Sequence, residues 1–129
     1  MQIEVISPEL AGMSHDELAG PARAALAAAN AVDGHLAVAL VEAEEIHLLN
    51  REYRSIDRPT DVLSFPIDET ETGIGPRELG DVVICPAHAE DIVEAVVHGV
   101  LHLCGFDHET DDGEMLALQD SVVKGMKAS

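Results

Sequence analysis

Residues 98–108 have the sequence HGVLHLCGFDH, in which two histidines at helical spacing are followed by a glycine and a third histidine. On an α-helix the four-residue spacing of His98 and His102 places their rings about 40° apart around the axis and about 6 Å apart along it. Gly105 suits the end of this helix, because glycine adopts the left-handed conformation that turns the chain back. That turn would return His108 beside the first two rings. The stretch predicts a metal site on a helix and turn near the C-terminus.

The three histidines predict a catalytic rather than a structural metal site. Three neutral imidazoles leave Zn²⁺ its full charge and a fourth position for water. We expect one Zn²⁺ per chain because the ligands are imidazoles without thiolates, although Ni²⁺, Co²⁺ or Fe²⁺ suit the same ligands. The spacing is that of the metzincin signature H-E-x-x-H-x-x-G-x-x-H, except that Gly99 replaces the glutamate that is the protease's general base. We expect this missing side chain to widen the pocket beside the ion.

Length and composition indicate an ordinary globular chain. With 129 residues, 47% apolar and 25% charged, we expect a single domain over residues 1–129. No apolar run is long enough to span a membrane, and the first residues lack the pattern of a secretory signal. The expected location is therefore the cytoplasm, without a membrane partner.

The charge of the chain is unusual for a protein that binds nucleic acid. The formal net charge is −18, from 25 acidic and only seven basic side chains, whereas phosphate contacts normally come from a basic surface. Three of the basic residues nevertheless fall within eight positions, at Arg51, Arg54 and Arg58. Side chains on which bases stack are also scarce. The aromatic residues are Tyr53, Phe65 and Phe106. A local basic patch within an acidic surface remains compatible with this composition.

Hydrophobic periodicity and turn residues predict the element order β-α-β-α-β-β-α-α. Strands are expected at 3–6, 35–41, 61–67 and 81–86. A first helix is expected from a Ser14–Glu17 capping box to about Asn30, with a kink or restart at Gly20–Pro21. Further helices are expected at 43–53 and from about His88 to Leu103. The last helix is expected from caps at Asp111 and Asp112 to about Met126. Residues 54–60 and 69–78 are expected to be a turn and a glycine-rich loop. This order predicts an α+β fold, with one mixed four-stranded sheet packed by helices.

Three further segments accompany the histidine motif: LNREYR (49–54), DRPTDVLSFP (57–66) and LGDVVIC (79–85). Together the four motifs closely resemble the YbeY family of bacterial rRNA maturation factors, or endoribonucleases, over residues 36 to 120. One departure is the segment PAHAEDIVEAV before the histidine helix, which is shorter than in most members.

The resemblance implies a zinc-dependent hydrolase that cleaves single-stranded RNA, matures the 3′ end of small-subunit rRNA and acts in ribosome quality control. Its expected partners are small-subunit rRNA and ribosomal proteins. It also implies that the zinc ligands of the family correspond to His98, His102 and His108, and that its functional arginine corresponds to Arg54.

The chemistry of a metal-assisted nuclease suggests roles for several side chains. Arg54 can bind the oxygens of a phosphodiester and stabilise the charge that develops on them; the alternative is a solvated arginine at a helix end. Asp107 can accept an imidazole N–H or relay a proton; the alternative is an aspartate that only caps a turn. Asp81 either orients a ligand or starts a strand. Thr60 and Ser64 are expected to line the cleft. The histidines without ligand spacing are His15, His35, His47 and His88.

A metal-dependent endoribonuclease in rRNA processing is the leading hypothesis, with two alternatives. One is a ribosome-assembly factor whose zinc is mainly structural; the acidic surface favours it, whereas a site with three protein ligands opposes it. The other is a metalloprotease whose base comes from elsewhere in the chain, and the sequence identifies no such carboxylate.

Overall fold

The computed structural model describes residues 2–31, 34–67, 78–107 and 111–127. Within them the strands and helices follow the expected order. The strands are β1 (Gln2–Ile6), β2 (His35–Leu40), β3 (Val62–Pro66) and β4 (Glu78–Ile84). The helices are α1 (His15–Ala28), α2 (Ala43–Arg54), α3 (Ile92–Leu103) and α4 (Glu114–Lys127). Short 3₁₀ helices occupy Pro8–Ala11 and Pro86–His88. No helix in these four ranges combines the length and apolarity needed to cross a bilayer.

The four strands form one mixed sheet in the order β1-β2-β4-β3. β1 and β4 each run parallel to β2, whereas β3 runs antiparallel to β4. In the register Val82 of β4 lies between Val38 of β2 and Ser64 of β3. β3 is an edge strand, since in the described part of the chain it pairs with β4 alone. The predicted α+β fold with a mixed four-stranded sheet is confirmed.

Helices cover both faces of the sheet. The larger core joins the sheet to α1, α3 and α4, through buried side chains that include Leu18, Val38, Val82, Val100 and Met115. The smaller core joins the opposite face to α2, through Val41, Ile46, Leu63, Val83 and Cys85. α3 is the central helix, because seven of its twelve residues are buried. Packing of α3 on the sheet therefore fixes the orientation of the helix, and with it the direction in which its histidines point.

Helix α1 begins as the sequence predicts but continues past its expected interruption. The Ser14 hydroxyl accepts the Glu17 N–H at 3.1 Å, and the Glu17 carboxylate accepts the Ser14 N–H at 2.9 Å, which completes the capping box. The predicted restart at Gly20–Pro21 is wrong, because one helix runs through Pro21. Pro21 is buried beside Leu18 and other core residues of α1, so packing compensates for its missing N–H.

Two boundaries near the cleft differ from the prediction. Arg54 is the last residue of α2 rather than turn material, and Ser55 ends the helix with a φ of +59°. β4 begins at Glu78, three residues before the expected start. Glycine usually weakens a strand, but the φ of +127° at Gly80 and the close approach of the Phe65 carbonyl explain its place inside β4.

Helix α3 begins at Ile92, not at about His88. Pro86 opens a separate 3₁₀ turn, and the Asp91 side chain caps α3 by accepting the Glu94 N–H at 3.1 Å. The expected cap of α4 by Asp111 is present, since its carboxylate accepts N–H groups at the start of that helix at 2.8 and 2.9 Å.

Candidate metal centre

Helix α3 ends in the turn that its sequence predicts. Gly105 has a φ of +101° and donates its N–H to the His102 carbonyl at 3.0 Å. The Phe106 N–H reaches the Leu101 carbonyl at 3.1 Å. These two bonds form a Schellman motif, in which glycine is the residue that tolerates the left-handed backbone. The chain therefore turns back immediately after the helix that carries the first two histidines.

His98 and His102 face each other on α3. Their ring centroids are 4.8 Å apart with the planes at 75°, and both side chains are half-buried. Both line the same small cavity of about 170 Å³. His108, the third expected ligand, lies outside the described residues. Among the residues that are described, no group of three His, Cys, Asp or Glu side chains could hold a metal ion.

Gln119 of α4 holds the ring of His98, which the sequence did not indicate. Its Oε1 atom lies 2.7 Å from Nδ1 of His98. An amide oxygen accepts a hydrogen bond, so Nδ1 carries the proton and Nε2 keeps its lone pair. This is the tautomer that binds a metal through Nε2, with a hydrogen-bond partner that fixes the ring.

Gly99 lets helix α3 pack closely on strand β4. The expectation that its missing side chain widens the pocket is wrong. A Cβ atom on Gly99 would overlap Cγ1 of Val82 and would lie 3.1 Å from Cγ2 of the same side chain. The missing side chain therefore faces β4. The Gly99 carbonyl also accepts the Ser64 hydroxyl at 3.0 Å, which ties α3 to the edge strand beside the histidines.

Arg54 lines the same small cavity as the histidines. The cavity is lined by Arg54, Val62, Ser64, Pro66, His98 and His102. α2 and α3 pack on opposite faces of the sheet, and both contribute to this cavity beside edge strand β3. Arg54 is exposed, and Ser64 lines the cavity as expected. Thr60 does not line this cavity; its hydroxyl contacts the Asp61 carboxylate at 3.3 Å.

An acidic groove borders His98 on its other side. This open groove, of about 630 Å³, includes His98 and Gln119 in its lining. Four carboxylates also line it, from Asp61, Glu90, Asp91 and Glu94. Carboxylates repel phosphates, so a phosphate backbone is favoured in the cavity that Arg54 lines and disfavoured in the acidic groove.

The two aspartates singled out from the sequence lie in different settings. Asp107 is exposed on the segment after α3, where its backbone carbonyl accepts the Asp111 N–H at 3.1 Å. Asp81 lies within β4 next to Val82, whose side chain faces α3. Successive strand residues point to opposite faces, so Asp81 faces away from the histidines. Of its two interpretations, only the strand residue fits.

Three of the remaining histidines pair with carboxylates. The shortest contacts are His15 to Asp16 at 3.3 Å, His35 to Glu78 at 2.9 Å and His47 to Asp57 at 2.8 Å. None of these three lines either cavity beside His98. His88 lines the acidic groove.

Comparison with known proteins gives consistent matches. The family model described as Endoribonuclease YbeY matches residues 14–127. A protein named Endoribonuclease YbeY from Rubrobacter xylanophilus is 48% identical over 99 residues, which cover 73% of this chain and 69% of that protein. A protein of the same name from Rhodococcus opacus is 35% identical over 148 aligned positions, covering 95% of this chain and 81% of that protein.

A solved structure supports the same match. The solution structure of a Thermotoga maritima protein superposes with a TM-score of 0.54 at 28% identity. The superposition covers 95% of this chain and 87% of the other.

Proposed function

Because the chain belongs to the YbeY endoribonuclease family, we propose that it is a metal-dependent hydrolase that cleaves single-stranded RNA during maturation of the 3′ end of small-subunit rRNA. The observation that carries the proposal is the small cavity that Arg54 lines together with His98 and His102. A cation and two imidazoles in one cavity suit a phosphodiester, since the cation can bind the anion and the imidazoles can hold a metal.

We propose that His98, His102 and His108 hold one Zn²⁺, for which another divalent transition metal can substitute. Two features of the described residues fit this ion: two imidazoles line one cavity, and Gln119 holds the His98 ring through its Nδ1 atom. When bound, the metal supplies Lewis-acid activation of water and of a phosphoryl oxygen.

The protein side chains position the RNA for this reaction. The Arg54 guanidinium binds two oxygens of the scissile phosphodiester and stabilises the charge that grows on them. Gln119 holds the His98 ring in one orientation, and Ser64 fixes α3 against the edge strand. Asp107, beside the third ligand, is proposed to accept an imidazole N–H or to relay a proton.

The acidic surface suggests a second set of partners. With a net charge of −18, most of the surface repels RNA, and basic ribosomal proteins are complementary to it. We propose that the protein works in the cytoplasm on ribosomal particles. A ribosome-assembly factor with a mainly structural zinc would make such contacts without cleaving RNA.

Cleavage assays on matched substrates distinguish these functions. Single-stranded RNA, the same sequence as a duplex, and casein are incubated with wild type, with and without a chelator and added Zn²⁺. His102→Ala and His47→Ala are compared, because the His47 ring lies outside both cavities beside His98. We expect chelator-sensitive cleavage of the single strand alone, abolished in His102→Ala and retained in His47→Ala. Casein hydrolysis that follows the same pattern would indicate a peptidase, and a fully metallated but inactive protein would indicate an assembly factor.

A further inference from the structure

Two of the three aromatic side chains of this chain form an exposed pair. The rings of Tyr53 and Phe65 meet edge to face, with centroids 5.2 Å apart and planes at 76°. Tyr53 remains 65% exposed, while Phe65 is partly buried against the smaller core. The Phe65 ring therefore supports a tyrosine ring that is open to solvent.

The exposure of Tyr53 follows from where α2 meets the sheet. Ile46, Asn50 and Tyr53 share the face of α2 that packs on the strands, at spacings of four and three residues. The first two are 0% and 3% exposed, whereas Tyr53 lies above edge strand β3, beyond which no further described strand covers it. Packing of the core thus does not account for an aromatic residue at this position.

The aromatic pair adjoins the proposed catalytic cavity. Tyr53 directly precedes Arg54, and Phe65 lies between Ser64 and Pro66; these three neighbours all line the cavity. Ser64 and Phe65 point to opposite faces of β3. The cavity and the aromatic pair therefore lie on opposite faces of the same edge strand. Arg54 connects them, because it lines the cavity and directly follows Tyr53.

The basic residues concentrate at the same place. Arg51 and Arg54 are exposed in the last turn of α2. The segment that follows folds back along the helix, because the Asn50 amide donates to the Arg58 carbonyl at 2.8 Å and His47 contacts Asp57 at 2.8 Å. Three of the seven basic residues of an otherwise acidic chain thus lie within five positions of Tyr53.

We propose that Tyr53, supported by Phe65, stacks on an unpaired base of the RNA next to the phosphate that Arg54 binds. An aromatic face beside cationic side chains is the usual combination in proteins that bind single-stranded nucleic acid. A base in a duplex is already paired and stacked, so only an unpaired base can swing over the edge of β3 onto the ring. Stacking on Tyr53 therefore selects single-stranded RNA over a duplex. This inference rests on the proposed RNA cleavage.

Fluorescence of the wild-type protein tests the stacking directly. The chain contains one tyrosine and no tryptophan, so its emission comes from Tyr53 alone. We expect a short 2′-O-methyl oligonucleotide, verified as intact after the titration, to quench this emission, with inner-filter effects corrected against N-acetyltyrosinamide. An abasic oligonucleotide with the same backbone should bind without comparable quenching. Equal quenching by both, or none by either at saturation, would overturn the proposal.

Substitutions test whether the stacking matters for cleavage. Tyr53→Leu removes the aromatic face, and we expect the KM for single-stranded RNA to rise about tenfold, as the loss of one stacked base usually causes. Tyr53→Phe should retain the wild-type KM. Leu48→Ala, at another exposed apolar position of α2 (49% exposed), is the matched control and should change nothing.

The outcomes separate this inference from the function on which it rests. If wild type cleaves RNA and Tyr53→Leu keeps the wild-type KM, base stacking on Tyr53 is refuted and the nuclease function stands. An aromatic pair that contacts a protein partner instead of RNA would give this result. Wild type that neither binds nor cleaves RNA would refute the nuclease itself.

Discussion

Gly99→Ala should destabilise the protein although it replaces a helical glycine. Alanine in place of glycine stabilises a helix interior by about 1 kcal/mol. The new methyl group, however, would overlap Val82, whose side chain is fully buried and branched at Cβ. Such overpacking costs about 1–3 kcal/mol. Since Val82 is held between two neighbouring strands and cannot turn aside, we expect a net loss of about 1–2 kcal/mol in the free energy of unfolding.

Urea unfolding followed by circular dichroism measures this loss. Gly125→Ala is the matched control, because Gly125 is exposed inside α4, no proline follows it and a Cβ atom there would have nothing within 4 Å, so this variant should not lose stability. Val82→Ala removes the two nearest of the three atoms that crowd a Cβ on Gly99 and leaves only Oγ of Ser64, at 3.3 Å. In that background Gly99→Ala should cease to be destabilising, with a coupling free energy of about 1–3 kcal/mol.

The substitution should also reduce cleavage in fully folded protein. Displacement of α3 from the sheet moves His98 and His102 relative to Arg54, and misplacement by about 1 Å can lower a rate about 10²-fold. If Gly99→Ala is as stable as Gly125→Ala and cleaves RNA at the wild-type rate, α3 does not meet β4 as closely as described.

Two further substitutions test individual side chains of the site. Arg54→Ala should lower RNA cleavage about 10²-fold or more, as loss of a donor to the transition state usually does, with no change in metal content or folding; Arg51→Ala, one turn earlier and outside the cavity, should retain most activity. Gln119→Leu should weaken metal binding about 10- to 100-fold because it releases the His98 ring, whereas Gln119→Glu, which still accepts the Nδ1 proton, should bind metal at least as well as wild type in a competition titration.

Local signals in the sequence were sufficient for much of the fold. The capping box of Ser14 and Glu17, the helical spacing of His98 and His102, and the turn at Gly105 each depend on residues close together in the chain. Such features are determined by backbone geometry and by side chains within one turn, so they could be predicted individually.

Contacts between distant segments could not be predicted in the same way. The bond from Gln119 to His98 spans 21 residues and has no characteristic spacing. The fourth strand was expected to begin only after Gly80, and Gly99 was expected to widen the pocket, but each glycine permits the close approach of another element. The position of Arg54 in the same cavity as the histidines depends on two helices on opposite faces of the sheet, and only the family resemblance had indicated a role for this residue.

The most direct test of whether three histidines hold the ion that supports cleavage is to measure metal content and RNA cleavage on the same preparations. The preparations are wild type, His108→Ala and His47→Ala. We expect about one tightly bound divalent metal per wild-type chain. His108→Ala should keep its circular dichroism spectrum but lose both tight metal binding and cleavage, and His47→Ala should keep both. A His108→Ala protein that retains a full equivalent of metal and cleaves single-stranded RNA at the wild-type rate would contradict the three-histidine site.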